Sequence, residues 1–262
     1  MTRSDRGSDD RQRDAGRVRS GRPERSGLLL AGGRSTRFGE PDKALAELAG
    51  TPLVRHAAAA LVPVVDELVV NCRGDQRDAL EAALVGLDDR LPVRFAVDPV
   101  PDQGPVAGLL AGLRVTRGRY VAVAGCDQPF LRTATIAELF DRATGEAEPS
   151  ADSAAPLADG HLQPLGAVYR RDAAREAAVR TMTAGSQALC EVLTRVDPAA
   201  VPVESETVRD IDTQDELSEI SDSEKPETRY RSRIMIPIGE HSLPVTNGST
   251  SHAPPLPDGG ER

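Results

Sequence analysis

The residues with the clearest chemical potential lie between positions 28 and 43, where an apolar run gives way to glycines and basic side chains. The run ends in the adjacent pair Gly32 and Gly33, so no side chain obstructs the turn that follows. Backbone N–H groups of such a turn can approach a phosphate chain closely. Arg37 and Lys43 lie in the same loop and would neutralise the charge of that ligand. We therefore expect this loop to bind a phosphorylated molecule.

The lysine at position 43 supports this interpretation. The chain has 32 lysines and arginines, and all except Lys43 and Lys225 are arginine. A compact ammonium contacts a phosphate as a point charge, which is a reason to keep one lysine here. The order of the glycines excludes the two common patterns G-x-x-x-x-G-K-[ST] and G-x-G-x-x-G. Without the two basic residues, the glycines would be equally typical of an ordinary strand-to-helix turn.

Polar side chains also mark the ends of three further predicted strands. They are Asn71 in the strand over 66–72, Asp98 after the strand over 93–97, and Asp127 after the strand over 120–125. Open α/β sheets bind ligands at the carboxyl ends of their strands. The glycine loop and these three side chains therefore predict one shared site.

Asp127 follows a strand that is apolar throughout, with no basic residue beside it in the sequence. A carboxylate in such surroundings is costly unless it is paired. Mg²⁺ is bound by one or two carboxylates together with substrate phosphate oxygens and waters, so Asp127 is a candidate metal ligand. The alternative is that Asp127 caps the turn that follows it through an Asx-type hydrogen bond.

The alternation of strands and helices predicts an α/β fold, a three-layer Rossmann-like, mostly parallel sheet with helices on both faces. A final helix is expected near residue 212, with Asp212 or Thr213 as its N-cap. The remaining predicted elements are a first strand over 27–31, helices over 52–62, 75–84, 105–115, 133–143, 172–182 and 186–193, and strands over 162–169, 200–204 and 207–211.

Composition separates a folded part from two tails. Residues 1–26 carry eight arginines and five acidic residues, and residues 221–262 are rich in proline and small polar residues. We interpret them as a disordered basic arm and a flexible tail around a domain at 27–220. Subtracting their charges, +3 and −1, from −9 leaves −11 on the domain, which disfavours nucleic acid as a partner.

No apolar run reaches the ~20 residues of a membrane span, so we expect no membrane partner. Three isolated cysteines without metal-ligand spacing are expected to be buried apolar residues. They predict a reducing, cytoplasmic compartment.

The sequence resembles the molybdenum cofactor guanylyltransferases, and more broadly the small nucleotidyltransferases of the same nucleotide-diphospho-sugar transferase-like fold. The resemblance covers roughly residues 27–220. Its opening motif is Leu30-Ala31-Gly32-Gly33-x-Ser35-x-Arg37-Phe38-Gly39-x-x-Asp42-Lys43, followed by Gly50-x-Pro52-Leu53. Further matches are Asp98 with Gly104-Pro105-Val106-Ala107-Gly108, the Asp-x-Pro box at Asp127-Gln128-Pro129, and a degenerate Asp210-Ile211-Asp212-Thr213 segment in which Gln214 replaces proline.

The resemblance implies roles for individual positions. Lys43 would bind the nucleotide, and Asp127 would bind both the nucleotide and Mg²⁺. Together with Arg37, which the charge of the loop indicates, these two are the candidate catalytic residues. The nucleotide-binding residues that the resemblance implies are Leu30, Ala31, Gly32, Lys43, Asn71, Asp98 and Asp127, and the glycine loop adds Gly33 as a further candidate.

The implied reaction is the transfer of GMP from GTP to the phosphate of molybdopterin, with release of pyrophosphate. The resemblance also implies transient contact with molybdoenzymes or cofactor-biosynthesis proteins. One alternative is another nucleotidyltransferase of this fold, using CTP on molybdopterin or a nucleotide on a sugar phosphate or phospholactate. A non-catalytic nucleotide-binding adaptor is a second alternative. A dinucleotide-dependent oxidoreductase is a third, and the absence of G-x-G-x-x-G disfavours it.

Overall fold

The computed structural model describes residues 24–34, 38–39, 42–87, 89–100, 102–145 and 151–223. The predicted arm and tail lie largely outside these ranges. The strands of the described part are β1 (Arg25–Leu30), β2 (Glu47–Leu48), β3 (Thr51–Pro52), β4 (Glu67–Cys72), β5 (Val93–Val97), β6 (Tyr120–Gly125), β7 (Ser153–Ala158), β8 (His161–Leu162), β9 (Ala167–Arg170) and β10 (Ala199–Pro202).

The main sheet has eight strands in the order β10-β7-β9-β6-β1-β4-β5, with β8 paired to β7. Strands β6, β1, β4 and β5 run parallel, whereas β9 is antiparallel to both β6 and β7. Strands β2 and β3 form a separate hairpin. The helices are α1 (Leu53–Leu61), α2 (Arg77–Ala83), α3 (Pro105–Val115), α4 (Thr133–Thr144), α5 (Arg171–Thr183), α6 (Leu189–Arg195) and α7 (Gln214–Ser223).

Two apolar cores, one on each face of the sheet, hold the helices in place. Successive side chains of a strand point to opposite faces, so neighbours in β1 belong to different cores. Leu29 packs with residues of α1 and α4, and Leu28 packs with residues of α3, α5 and α6. This confirms the predicted three-layer, mostly parallel architecture.

The second half of the chain departs from the sequence-based expectations. Strand β7 is missing from the prediction because its residues, Ser-Ala-Ala-Pro-Leu-Ala, have low strand propensity and include a proline. The strand expected over 162–169 is divided into β8 and β9 by a turn in which Gly166 has a φ of 75°. The strand expected over 207–211 is wrong, because a 3₁₀ helix occupies Ser205–Val208.

The environments of the cysteines and of Thr133, and the character of the helices, complete the description. The expectation that all three cysteines are buried is wrong for Cys190, which is exposed, whereas Cys72 and Cys126 are buried. The Thr133 hydroxyl does not cap α4 but donates a hydrogen bond to the backbone oxygen of Ala60 in α1. Within the described ranges, no helix combines the length and the apolar character that a bilayer span requires.

Candidate functional site

The Lys43 ammonium lies between two carboxylates at the carboxyl edge of the sheet. Its Nζ donates to Oδ2 of Asp127 at 2.8 Å and to Oδ1 of Asp212 at 2.7 Å. The lysine side chain is only 7% exposed, whereas Asp127 is 22% and Asp212 is 53% exposed. The cation is therefore the inner member of the group, and both carboxylates keep a face toward solvent.

A short 3₁₀ helix, Lys43–Leu45, fixes the start of the lysine side chain. Asp42 caps this helix, because its Oδ1 accepts a hydrogen bond from the Ala44 N–H at 3.1 Å. The other oxygen of Asp42 accepts from Arg73 at 3.1 Å and from the Gln76 side-chain amide. The segment that follows β4 thus holds the cap of this helix in place, and with it the start of the Lys43 side chain that reaches Asp127.

Arg73 and Gln76 also hold the glycine loop. Arg73 Nη1 donates to the backbone oxygen of Gly33 at 2.6 Å, and Gln76 Nε2 donates to that of Ala31 at 3.1 Å. Both side chains are largely buried. Sequence reasoning missed these two residues. The only signal was a basic residue directly after β4, which does not reveal that its partners lie in the first loop.

Asp127 is positioned by the end of β6. A Cβ at Gly125 would collide with the Asp127 carboxylate, so the absence of a side chain at that position makes room for it. Gln128 accepts from the Gly125 N–H at 3.1 Å and donates to the backbone oxygen of Val208 at 3.2 Å. The backbone N–H of Ile211 then donates to the backbone oxygen of Asp127 at 3.0 Å. These bonds bring the late segment 208–212 against the end of β6.

A capping box at the start of α7 orients this late segment. The Glu216 N–H donates to Thr213 Oγ1 at 3.2 Å, and Glu216 Oε2 accepts from the N–H groups of Asp212 and Thr213. Thr213 is therefore the N-cap, as one of the two predicted alternatives. The Asp212 carboxylate points to Lys43 instead, so helix capping does not account for this residue.

Asn71 and Asp98 form a second polar group under the glycine loop. Asn71 Nδ2 donates to Asp98 Oδ1 at 2.6 Å and to the backbone oxygen of Ala96 at 3.1 Å. A Cβ at Gly32 would lie 2.5 Å from Asp98 Oδ2, and one at Gly108 would lie 2.5 Å from Asn71 Oδ1. The ends of β1, β4 and β5 therefore meet with no space for a side chain between them.

The remaining predicted residues of the first loop have distinct environments. The backbone oxygen of Leu30 and the backbone N–H of Ala31 already form hydrogen bonds to neighbouring strand ends. The Leu30 oxygen accepts from the Cys126 N–H, and the Ala31 N–H donates to the backbone oxygen of Asn71. A Cβ at Gly33 would meet no described heavy atom within 4 Å. Arg37 lies outside the described residues.

The charges of the site shift the pKa of several groups. Burial lowers the pKa of Lys43, but the charges and hydrogen bonds of Asp127 and Asp212 outweigh it, so the pKa is raised overall. Burial raises the pKa of Asp98, against the opposing effect of Asn71. Partial desolvation of the Asp210 carboxyl and the negative charges of Asp127 and Asp212 raise its pKa to about 6, although the residue keeps an exposed surface.

The carboxylates of the site suit a divalent cation whose other ligands are phosphate oxygens and waters. Among the described residues, no group of three or more His, Cys, Asp or Glu side chains is arranged to hold a metal ion. Two carboxylates, Asp127 and Asp212, do converge on one cationic group within hydrogen-bond distance. Mg²⁺ needs only one or two carboxylates when phosphate oxygens and waters complete its octahedron. The residues present therefore fit Mg²⁺ with a phosphorylated ligand, rather than a metal cage built by protein alone.

A separate cleft of about 640 Å³ lies at the opposite edge of the sheet, near the amino ends of β1, β4 and β6. Asp66 accepts hydrogen bonds there from the N–H groups of Glu24 and Arg25 at 2.9 and 3.0 Å. None of the predicted site residues lines this cleft. It is distinct from the candidate site.

Comparison with known proteins shows which family the chain resembles. Residues 27–199 match the family model of the MobA-like NTP transferase domain. The chain belongs to this family. It is a nucleotidyltransferase, and its fold is the one that the resemblance of the opening motif predicts.

Two curated relatives illustrate the similarity. The chain is 43% identical over 174 residues to a probable molybdenum cofactor guanylyltransferase of Natronomonas pharaonis, covering 66% of this chain and 82% of the relative. It is 39% identical over 163 residues to a molybdenum cofactor guanylyltransferase of Burkholderia orbicola, covering 60% and 76%.

Solved structures support the fold. The molybdopterin-guanine dinucleotide biosynthesis protein A of Archaeoglobus fulgidus superposes with a TM-score of 0.59 at 21% identity, covering 76% of this chain and 97% of that one. A nucleotidyl transferase of Methanothermobacter thermautotrophicus superposes with a TM-score of 0.57, also at 21% identity, covering 76% and 97%.

Proposed function

We propose that this transferase moves GMP from GTP to the terminal phosphate of molybdopterin and releases pyrophosphate. The family match and the names of relatives at 39–43% identity support this assignment. The observation on which the site depends is the Lys43 ammonium held at 2.8 and 2.7 Å from Asp127 and Asp212, next to the glycine loop.

The glycine loop would receive the triphosphate. No described heavy atom lies within 4 Å of the position that a Cβ would take at Gly33, so a ligand can approach the backbone from that side. Arg73 and Gln76 hold the carbonyl oxygens of Gly33 and Ala31, and this rigidity preorganises the loop. Lys43 and Arg37 would offset the charge that develops on the leaving pyrophosphate.

Asp127, with Asp212 beside it, would hold Mg²⁺. When bound, Mg²⁺ would supply Lewis-acid polarisation and charge neutralisation at the α- and β-phosphates. The attacking group is a phosphate, which is already anionic near neutral pH, so no protein base is needed. What the chain must provide is alignment and electrostatic stabilisation.

The decisive experiment measures pyrophosphate release from GTP, CTP, ATP and UTP, each with and without molybdopterin. We expect release above background only with GTP and molybdopterin together. Preference for CTP would transfer the assignment to a cytidylyltransferase of the same fold. Release at background level for all nucleotides, with binding retained, would instead identify a non-catalytic nucleotide-binding protein.

A matched variant tests the site within the same assay. Asp127→Asn keeps the size of the side chain and removes its charge, so it should abolish release. Arg34→Gln removes a charge from the same loop, but Arg34 is exposed and pairs with Asp102 at 2.7 Å. It should retain most of the activity.

A further inference from the structure

The ammonium of Lys43 contacts the same two carboxylates that are the candidate ligands of Mg²⁺. Both contacts are short, 2.8 Å to Asp127 and 2.7 Å to Asp212. The lysine is also the least exposed of the three side chains, at 7%. A cation that approaches from solvent therefore finds two carboxylates that already share one ammonium on their inner side, so that only part of their charge is left for it.

We propose that Lys43 is an internal counterion for the metal site, and that Mg²⁺ and the triphosphate displace it only together. This inference rests on the proposed function and extends it to the coupling between the two ligands. Lys43 is then more than a phosphate contact: it keeps the carboxylates from binding Mg²⁺ before a nucleotide arrives.

Charge balance is the first reason. Mg²⁺ alone would have to compete with an ammonium that is tethered to the fold, and the two cations would repel each other. The lysine could not simply withdraw, because a buried charge without a partner is costly. A triphosphate removes this obstacle, since it offers the ammonium new anionic oxygens while Mg²⁺ takes over the carboxylates.

The anchoring of Lys43 is the second reason. Its backbone is fixed in the 3₁₀ helix by the Asp42 cap, which Arg73 and Gln76 hold in turn. The exchange therefore requires only rotation about the bonds of the flexible four-carbon side chain. No rearrangement of the sheet edge is needed.

Metal binding without nucleotide provides one test. The affinity for Mn²⁺, measured by electron paramagnetic resonance of the free ion, should be weak in the wild type and rise by about tenfold or more in Lys43→Met, which removes the competing cation. Arg34→Met changes the net charge equally but removes a cation that pairs with Asp102. It should leave the Mn²⁺ affinity within about twofold, as expected for a screened surface charge. Equal Mn²⁺ affinities of wild type and Lys43→Met would overturn the inference.

A second test leaves the Lys43 side chain unaltered and needs a variant only to assign the signals. The chain has only two lysines, Lys43 and Lys225. Labelling lysine with ¹³C at Cε gives two signals, and Lys225→Arg assigns them. We expect the Lys43 signal to stay in place with Mg²⁺ alone and to move when Mg²⁺ and GTP are added together. A full shift with Mg²⁺ alone would contradict the coupling.

These measurements separate this inference from the proposed function, because neither requires molybdopterin or turnover. If the Lys43 signal moves with Mg²⁺ and CTP but not with Mg²⁺ and GTP, the coupling is supported while the guanine assignment fails. If it moves with no Mg²⁺–nucleotide pair, the coupling itself is refuted.

Discussion

Two adjacent glycines in the first loop should respond in opposite ways to the same substitution. Gly32 is surrounded by protein, since a Cβ there would lie 2.5 Å from Asp98 Oδ2 and 3.2 Å from Asn71 Oδ1. Gly33 has no described heavy atom within 4 Å of the equivalent position. We therefore predict that Gly32→Ala reduces stability, whereas Gly33→Ala reduces nucleotide binding.

The size of the first effect follows from the contact distance. An ordinary carbon–oxygen contact is about 3.3–3.6 Å, so Asp98 would have to move by about 1 Å. That movement disturbs its 2.6 Å hydrogen bond with Asn71. Overpacking of this kind costs about 1–3 kcal/mol. The lower entropy of the unfolded alanine chain offsets about 0.4–1 kcal/mol of it, so we expect a net loss of about 1–2 kcal/mol.

Gly33→Ala should behave differently, because the new methyl group meets no described atom. Its free energy of unfolding should rise by about 0.4–1 kcal/mol, because the unfolded alanine chain has the lower entropy and nothing in the folded chain opposes this gain. A ligand that approaches the backbone of this turn would meet the methyl group, so GTP affinity should fall by about tenfold, or about 1.4 kcal/mol.

Urea unfolding without ligand and calorimetric titration with Mg²⁺–GTP measure the two effects. With a urea slope of about 2 kcal/mol/M, in the middle of the usual range, the midpoint of Gly32→Ala should fall by roughly 0.5–1 M. A Gly32→Ala protein as stable as the wild type would refute the packing argument. Unchanged GTP affinity in Gly33→Ala would refute the prediction that the nucleotide approaches the backbone at Gly33.

Three further predictions concern the charged residues. Asp127→Asn should abolish Mg²⁺-dependent pyrophosphate release while circular dichroism remains native, and retained activity would exclude Asp127 as the metal ligand. Lys43→Ala should weaken binding of GTP more than binding of GMP in titrations, and equal losses would argue against a contact with the outer phosphates. Asp210 has a pKa raised from 3.8 to about 6 in the folded protein, so it destabilises the fold as the pH rises through that range. Asp210→Asn should therefore be more stable than the wild type at pH 8 and equally stable at pH 3, as measured by thermal unfolding, and a gain that does not depend on pH would refute this assignment.

The first half of the fold was predictable because its elements carry strong local signals. Strand β6 and helix α3 have the predicted bounds, 120–125 and 105–115. The run in β6 is apolar throughout, and α3 begins at Pro105 after Gly104. Strand β7 has no such signal, because alanines and a proline form a strand there only through pairing with β9 and β10.

The candidate site shows the same division between local and tertiary information. Asp127 was predictable because a carboxylate directly after a buried parallel strand must lie at the ligand-binding edge. Its 2.8 Å contact with Lys43, 84 positions earlier in the chain, agrees with that placement. The nucleotide-binding and catalytic roles of these residues remain predictions.

The position of Asp212 could not be deduced from its neighbours. Acidic residues at the start of a helix are fully explained by capping and by the helix dipole, and this explanation is correct for Glu216, which accepts from two backbone N–H groups. Because Thr213 and Glu216 form the capping box between them, the Asp212 carboxylate is not needed by the helix. Gln128, fixed at the end of β6, binds the backbone oxygen of Val208, and the Ile211 N–H binds the backbone oxygen of Asp127, so the late segment lies beside Lys43. Two hydrogen bonds between distant segments, one from the Gln128 side chain and one from the Ile211 backbone, thus make an acidic helix start part of the site.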